Sequence, residues 1–109
     1  MAARLLTFVQ TPVYAAAAKK LIDDDRQREI ELSICANPKA GRLEAGVRKI
    51  RIAFADRGKS GGIRVIYYHI ERKGKVYLLD LFAKNEKGAL TKAEKNAVRR
   101  LARLLEAEP

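Results

Sequence analysis

Two consecutive apolar stretches constrain the fold of this chain more than any other feature. GIRVIYYHI (62–70) and KVYLLDLFA (75–83) carry branched or aromatic residues at both odd and even positions. Because successive side chains of a strand point to opposite sides of a sheet, such stretches predict central strands that are covered on both sides. The short ERKGK segment between them predicts a tight hairpin turn centred on Gly74.

A third strand, VRKIRIAF (47–54), precedes these two and alternates charged with apolar residues. The alternation predicts that Ile50, Ile52 and Phe54 face a core. It also predicts that Lys49 and Arg51 lie on the opposite face of the same strand.

The N-terminal part of the chain predicts a strand followed by a helix. An apolar stretch that ends near Gln10 is typical of a first strand. Thr11 then provides a cap and Pro12 opens a helix that runs from Val13 to Leu21, which is the usual order of signals at a helix start.

Two further helices are indicated by their boundary residues. One follows the acidic cluster Asp23 to Asp25 and ends at Asn37, before a proline. A loop is expected from Ala40 to Gly46. The last helix begins at a capping box formed by Thr91 and Glu94. Its apolar residues at helical spacing are Ala97, Val98, Leu101, Leu104 and Leu105.

The predicted order is therefore β-α-α-β-β-β-α. A chain of 109 residues can bury one modest core, so we expect a single domain over residues 1–109. Strands and helices in this order predict an α+β fold, in which helices pack on a small antiparallel-rich sheet.

The charge of the chain limits the kind of partner. Its formal net charge is +10 and its pI is about 10.1, which favours a nucleic acid, an acidic protein or an anionic membrane surface. Residues 47–87 hold eleven Lys or Arg against four Asp or Glu, so the strands and their loops carry most of the excess. Clustered cations are most stable when an anion neutralises them, and a phosphate is the expected ligand.

Several classes of site and location are disfavoured by the sequence. No apolar run approaches the roughly 20 residues of a membrane span, and the N-terminus lacks the pattern of a signal peptide. We therefore expect a cytoplasmic protein. Cys35 and His69 are the single cysteine and the single histidine, which excludes an internal disulfide, a Cys/His zinc site and a Cys/His catalytic pair. No metal or other cofactor is expected.

The basic strands resemble a known family. RKIRIAF, RGKSGGIRVIYY and LLDLFAKNEK, followed by a polar helix, are similar to the RelE superfamily of bacterial toxins. Within that superfamily the stretches with GK-x-GG-x-RVIYY and KNE resemble the HigB-type branch. The resemblance runs from about Asn37 to the C-terminus, and it is looser in the first strand and helices.

The resemblance implies a fold, an activity and a set of partners. The fold would be the compact RelE-like microbial ribonuclease fold. The activity would be ribosome-dependent cleavage of messenger RNA in the decoding site, which inhibits translation. A cognate antitoxin, commonly a helix-turn-helix DNA-binding protein in the HigB-type branch, would neutralise the toxin, and operator DNA would be contacted only through that antitoxin.

The resemblance also implies roles for individual residues. Lys49 and Arg51 match the basic pair of the family's second strand, where the first is implicated in activating the nucleophile and the second in binding phosphate. Arg64 matches the arginine that stabilises the scissile phosphate. Lys84 falls beside another basic position of the family. Asn85 stands where some relatives have an arginine, and the C-terminal segment has no tyrosine or histidine to transfer a proton.

These residues predict cleavage without a metal, by attack of the ribose 2′-hydroxyl on its own phosphate. Arginine stays protonated, so Arg51 and Arg64 are expected to clamp the phosphate. Lys49 is the candidate base because neighbouring positive charges favour a neutral amine. Lys59 or Lys84 would then donate a proton to the leaving oxygen.

The remaining candidate residues would bind RNA without taking part in proton transfer. Gly61 and Gly62 would let the backbone approach the RNA closely. Tyr68 has the same strand parity as Arg64, and either stacking on a base or core packing accounts for it. The set is completed by Arg48, Arg57, Asn85 and Lys87. A basic module that binds nucleic acid or an antitoxin without catalysis is the alternative function.

Overall fold

The structure is a computed structural model that describes residues 6–54, 62–83 and 90–108. Its helices and strands follow the chain as β1 (Thr7–Gln10), α1 (Pro12–Leu21), α2 (Asp24–Ala36), β2 (Arg42–Glu44), β3 (Val47–Ile52), β4 (Ile63–Ile70), β5 (Lys75–Ala83) and α3 (Lys92–Ala107).

The strands of the described residues form one five-stranded sheet in the order β1-β5-β4-β3-β2. β1 pairs with β5 in parallel, whereas the pairs β2–β3, β3–β4 and β4–β5 are antiparallel. The prediction of an α+β fold with an antiparallel-rich sheet is therefore confirmed. The predicted order lacks one element, because β2 lies in the segment that was expected to be a loop.

β2 was missed because it is short and its sequence carries no strand pattern. It contains three residues at the edge of the sheet, and the charged Arg42 and Glu44 flank an exposed Leu43. A turn follows at once, in which Ala45 has a φ of 56° and Gly46 a φ of 81°. Edge strands of this length are specified by pairing with a neighbour and not by periodicity.

The predicted helix starts are confirmed by the capping contacts. The side chain of Thr11 accepts a hydrogen bond from the backbone N–H of Tyr14 at 3.2 Å. Asp23 accepts one from Arg26 at 2.9 Å. Thr91 and Glu94 form the reciprocal capping box at the start of α3.

Each face of the sheet packs on a separate core. On one side, here called the α1/α2 face, the buried residues include Tyr14, Ile30, Ile34, Ile52, Phe54, Val65, Tyr67 and Leu78. On the other side, the α3 face, they include Val47, Ile66, Ile70, Tyr77, Leu79, Ala102 and Leu105. The central strands β4 and β5 contribute to both cores, as their apolar sequences predicted.

The turn between β4 and β5 fastens α3 to the sheet. It is a 3-10 turn over Glu71–Lys73 that Gly74 closes in the left-handed conformation. Arg72 Nη2 donates to the backbone carbonyl of Glu106 at 2.8 Å, and Lys73 Nζ donates to that of Leu105 at 3.3 Å. Cations at this end of a helix are favourable because they interact with its terminal carbonyls and with the negative end of the helix dipole.

Among the residues that the structure describes, none of the helices has the length and apolar character needed to span a membrane.

Candidate nucleic-acid interface

Two arginines stand directly opposite each other on the α3 face of the sheet. Arg51 of β3 pairs in register with Arg64 of β4. Directly opposite residues of an antiparallel pair have Cβ atoms about 5 Å apart and point to the same face. Arg51 is exposed and Arg64 is half-buried. Like charges at such a pair are unfavourable unless an anion lies between them.

A second pair of cations adjoins the first on the same face. Lys49 lies two residues before Arg51 on β3, so their side chains share a face. On the neighbouring strand β2, Arg42 lies directly opposite Lys49 in the antiparallel register. Arg42, Lys49, Arg51 and Arg64 therefore form one group, which we call the basic strip. Arg42 was not predicted, because a residue in an expected loop has no parity that assigns it to a face.

Lys49 is held by a carboxylate of the neighbouring strand. Its Nζ lies 3.3 Å from Oε2 of Glu44, and their side chains are only 15% and 19% exposed. The other oxygen of Glu44 lies 3.8 Å from Nζ of Lys95 on α3. One carboxylate thus links β2, β3 and α3.

Arg64 contains a buried donor that no described residue satisfies. Its Nη1 is shielded from solvent and donates to no acceptor among residues 6–54, 62–83 and 90–108. Buried donors without a partner are rare in folded proteins and call for an explanation, such as a ligand. A phosphate oxygen would satisfy this donor with a charge-assisted hydrogen bond.

The sequence matches the family model described as the RelE toxin of the RelE/RelB toxin-antitoxin system over residues 8–108. The chain belongs to the RelE toxin family. The HigB-type branch within the RelE superfamily stays a prediction, because the match is to the wider family.

Solved RelE structures share the fold. An arginine double mutant of the E. coli toxin RelE in the free state is 15% identical, with 92% of this chain and 98% of that chain covered and a TM-score of 0.59. The isolated E. coli RelE toxin is 17% identical, with 88% and 98% covered and a TM-score of 0.54. The intact E. coli RelBE toxin–antitoxin complex is 17% identical, with 72% of this chain and 95% of that chain covered and a TM-score of 0.55. At these identities the likeness establishes the fold.

Two of the candidate RNA-binding residues of this RelE family chain lie away from the basic strip. Arg48 points to the α1/α2 face, where its Nη1 donates to the backbone carbonyls of Gly41 at 2.8 Å and Lys39 at 3.1 Å. Tyr68 shares the face of Arg64 but lies about 13 Å further along β4, as four residues of a strand span.

The environment of Tyr68 suits packing beside α3. Its hydroxyl donates to Oε2 of Glu106 at 3.4 Å. Burial raises the pKa of the Tyr68 phenol, and the nearby Glu106 carboxylate raises it further. The phenol therefore stays neutral near pH 7, and the side chain is part of the packing between the sheet and α3.

Gly62 is required by the approach of two strands. Its φ is 71°, and a Cβ at this position would come within 2.3 Å of the backbone carbonyl oxygen of Ile52. This close approach explains a glycine without any RNA contact. The other candidates, Arg57, Lys59, Gly61, Lys84, Asn85 and Lys87, lie outside the described residues.

Proposed function

We propose that this chain is the toxin component of a type II toxin-antitoxin system and acts as a ribosome-dependent messenger-RNA endoribonuclease. The observation that carries the proposal is the opposition of Arg51 and Arg64, with a buried donor of Arg64 left without an acceptor, in a chain of the RelE toxin family. A backbone phosphate of the message supplies the missing acceptor and neutralises both guanidinium groups.

The reaction assigned to this site needs no metal. The ribose 2′-oxygen forms a bond to phosphorus and the 5′-oxygen leaves, which gives a 2′,3′-cyclic phosphate and a free 5′-hydroxyl. The 2′-hydroxyl transfers its proton to solvent water, and the departing 5′-oxygen gains a proton from Lys59 or Lys84. Arg51 and Arg64 bind the non-bridging oxygens and stabilise the charge that accumulates on them in the transition state.

Lys49 has a role that follows from its ion pair. The prediction that it acts as a base requires a nitrogen that is free to accept the proton of the 2′-hydroxyl, whereas Nζ of Lys49 lies 3.3 Å from Oε2 of Glu44 as its ion-pair partner. We therefore assign Lys49 to electrostatic stabilisation of the attacking 2′-oxygen as its negative charge develops. Lys59 and Lys84 remain the predicted donors to the leaving oxygen. The ribosome would supply substrate alignment, which reduces what the toxin itself must provide.

We also propose that a cognate antitoxin binds this toxin. One solved structure of the same fold is the E. coli RelBE toxin–antitoxin complex. A chain with a net charge of +10 is attracted to an acidic partner segment. The neighbouring reading frame is expected to encode a small helix-turn-helix protein if the HigB-type assignment holds.

The proposal is tested by induced expression of the wild type, Arg64→Ala and a matched control. Arg28→Ala is suitable as the control because Arg28 is exposed on α2 and pairs only loosely, at 3.4 Å, with Asp25. The wild type and Arg28→Ala should arrest growth and cut translated messages, leaving 5′-hydroxyl ends, whereas Arg64→Ala should do neither at equal protein level.

Mapping message ends with purified toxin, with and without ribosomes, separates the competing functions. Cleavage that requires ribosomes agrees with the proposal. Salt-sensitive binding of intact RNA would instead identify a non-catalytic binding module. Equal toxicity of the wild type and Arg64→Ala would remove the phosphate clamp from the proposal.

A further inference from the structure

Glu44 is a carboxylate placed beside four cations that are proposed to bind an anion. A negative charge in such a position weakens phosphate binding. Its presence therefore calls for another role that offsets this cost. The ion pair that Glu44 forms with Lys49 is also less exposed to solvent than the pair between Lys39 and Glu71. The side chains of Lys39 and Glu71, which pair at 3.6 Å, are 66% and 61% exposed. The Lys49–Glu44 pair is 15% and 19% exposed.

The backbone places this carboxylate where it meets Lys49. Glu44 pairs in register with Val47, so Lys49 is its diagonal neighbour on the same face of the adjacent strand. Glu44 ends β2, and the left-handed Ala45 and Gly46 turn the chain immediately afterwards. The position of the carboxylate is therefore set by a strand and a tight turn.

α3 holds the carboxylate from its other side. Lys95 Nζ lies 3.8 Å from Glu44 Oε1, and this oxygen is shielded from solvent. Low solvent access means that salt and water screen these charges less than they screen a surface pair. A lysine has a flexible four-carbon stem, and an ion pair that is largely shielded from solvent restricts where its ammonium lies.

We propose that Glu44 is a positioning residue that fixes the Lys49 ammonium beside the attacking 2′-oxygen. The inference rests on the proposed nuclease function, in which Lys49 stabilises that oxygen. Glu44 itself does not touch the RNA and acts only through Lys49. Its loss reduces the rate of the chemical step and leaves RNA binding unchanged or tighter, because a negative charge has been removed.

The test measures single-turnover cleavage of a message on programmed ribosomes. The cleavage rate at saturating toxin and the half-saturating toxin concentration are compared for wild type, Glu44→Gln, Lys49→Ala and the double variant. Glu44→Gln should lower the saturated rate about tenfold without raising the half-saturating concentration. In the Lys49→Ala background the same substitution should change nothing further.

Two controls keep folding separate from positioning. Glu71→Gln removes the same charge from the exposed pair with Lys39 and should leave both quantities at their wild-type values. Glu44→Asp keeps the charge but retracts it by one methylene, and it should lower the saturated rate less than Glu44→Gln does. If Glu44→Gln does not fold, the aspartate variant in both Lys49 backgrounds gives the decision.

A readout without catalysis separates this inference from the nuclease proposal. The side-chain ammonium of Lys49 should give a nuclear magnetic resonance signal protected from water exchange in the wild type and lost in Glu44→Gln. Protection that survives the substitution overturns the inference. An unchanged or faster saturated rate, or an equal loss in both Lys49 backgrounds, also overturns it. Wild-type toxin that fails to cut ribosome-bound messages refutes the nuclease function, while the resonance still decides whether Glu44 positions Lys49.

Discussion

The two faces of the sheet differ in how the hydrogen-bond donors of their polar side chains are satisfied. On the α1/α2 face the Tyr14 hydroxyl donates to Gln27 at 2.7 Å and the Tyr67 hydroxyl donates to the carbonyl of Pro38 at 2.8 Å. Arg48 on that face donates to two backbone carbonyls. On the α3 face, Arg51 lies opposite Arg64, and a buried donor of Arg64 has no described acceptor.

The difference shows how one strand serves two purposes. Arg48 and Lys49 are adjacent on β3, yet one side chain binds the protein's own backbone and the other belongs to a surface with excess positive charge. Donors that are satisfied within the protein, such as those of Arg48 and Tyr67, contribute to stability. A donor without an acceptor among the described residues, such as Nη1 of Arg64, is available for binding an anion, and the folded state tolerates the repulsion between Arg51 and Arg64. Substitutions on the two faces should therefore have opposite signatures.

The largest effect is expected from removing the opposed arginines of the α3 face. Arg64→Ala should lower the saturated rate of messenger-RNA cleavage by about 10²-fold to 10³-fold, because a donor to the transition state is lost. Arg51→Ala should act in the same direction. Unfolding of Arg51→Ala should cost the same free energy as the wild type, or about 0.5 kcal/mol more, since a like-charge pair is relieved.

Chemical denaturation together with the ribosome assay checks both parts of this prediction. The double variant should lose less than the product of the two single losses, because both arginines bind the same phosphate. Strictly multiplicative losses would show that they act on separate groups.

The counterpart on the α1/α2 face is Tyr67→Phe. The phenol of Tyr67 donates to the carbonyl of Pro38 and accepts from the backbone N–H of Gly41 at 3.2 Å. Its removal leaves both backbone groups without this partner, and the free energy of unfolding should fall by about 2 kcal/mol. Cleavage per folded molecule should stay at the wild-type value. A cleavage defect in a stably folded variant would contradict the division between the faces.

A smaller effect in the same direction is expected from Arg48→Met, which keeps an unbranched apolar stem but removes the guanidinium. Two hydrogen bonds to the segment before β2 are lost, and the free energy of unfolding should fall by about 1 kcal/mol. Because Arg48 was predicted to bind RNA, the decisive measurement is RNA affinity of the folded variant. Unchanged affinity would assign Arg48 to the fold alone, whereas a clear loss of affinity would confirm the prediction that it binds RNA.

The sequence predicts which residues of a strand share a face, because this depends only on the local alternation of apolar and charged residues. Alternation in VRKIRIAF separated Lys49 and Arg51 from Ile50 and Ile52, and the structure has them on opposite faces. Register cannot be derived from periodicity, since it depends on how two strands align. The opposition of Arg51 and Arg64 therefore emerged only from the fold.

The same limitation explains the residues that were missed and the candidates that lie away from the basic strip. Arg42 and Glu44 belong to a three-residue edge strand without a periodic pattern, so the sequence could not predict their pairing with β3. Tyr68 has the right parity, but parity does not measure distance along a strand, nor does it show that α3 covers the position. Arg48 is basic like its neighbours, and its partners are carbonyls that the turn before β2 brings near.

The smallest predicted effect concerns the outer end of the basic strip. Arg42 is exposed and pairs in register with Lys49, so it would meet a phosphate next to the one held by Arg51 and Arg64. For single-stranded RNA each neutralised phosphate contributes about 0.7 to the slope of log affinity against log salt. Arg42→Gln should reduce the slope by about that amount, measured with an oligonucleotide that carries 2′-deoxyribose at the scissile position.

Lys39→Gln removes an exposed charge that pairs with Glu71 and should leave the slope unchanged. Equal slopes for wild type and Arg42→Gln would show that Arg42 contacts no phosphate and that the RNA-binding part of the basic strip ends at Lys49. Equal reductions in both variants would show that net charge, and not the register of β2 with β3, determines binding.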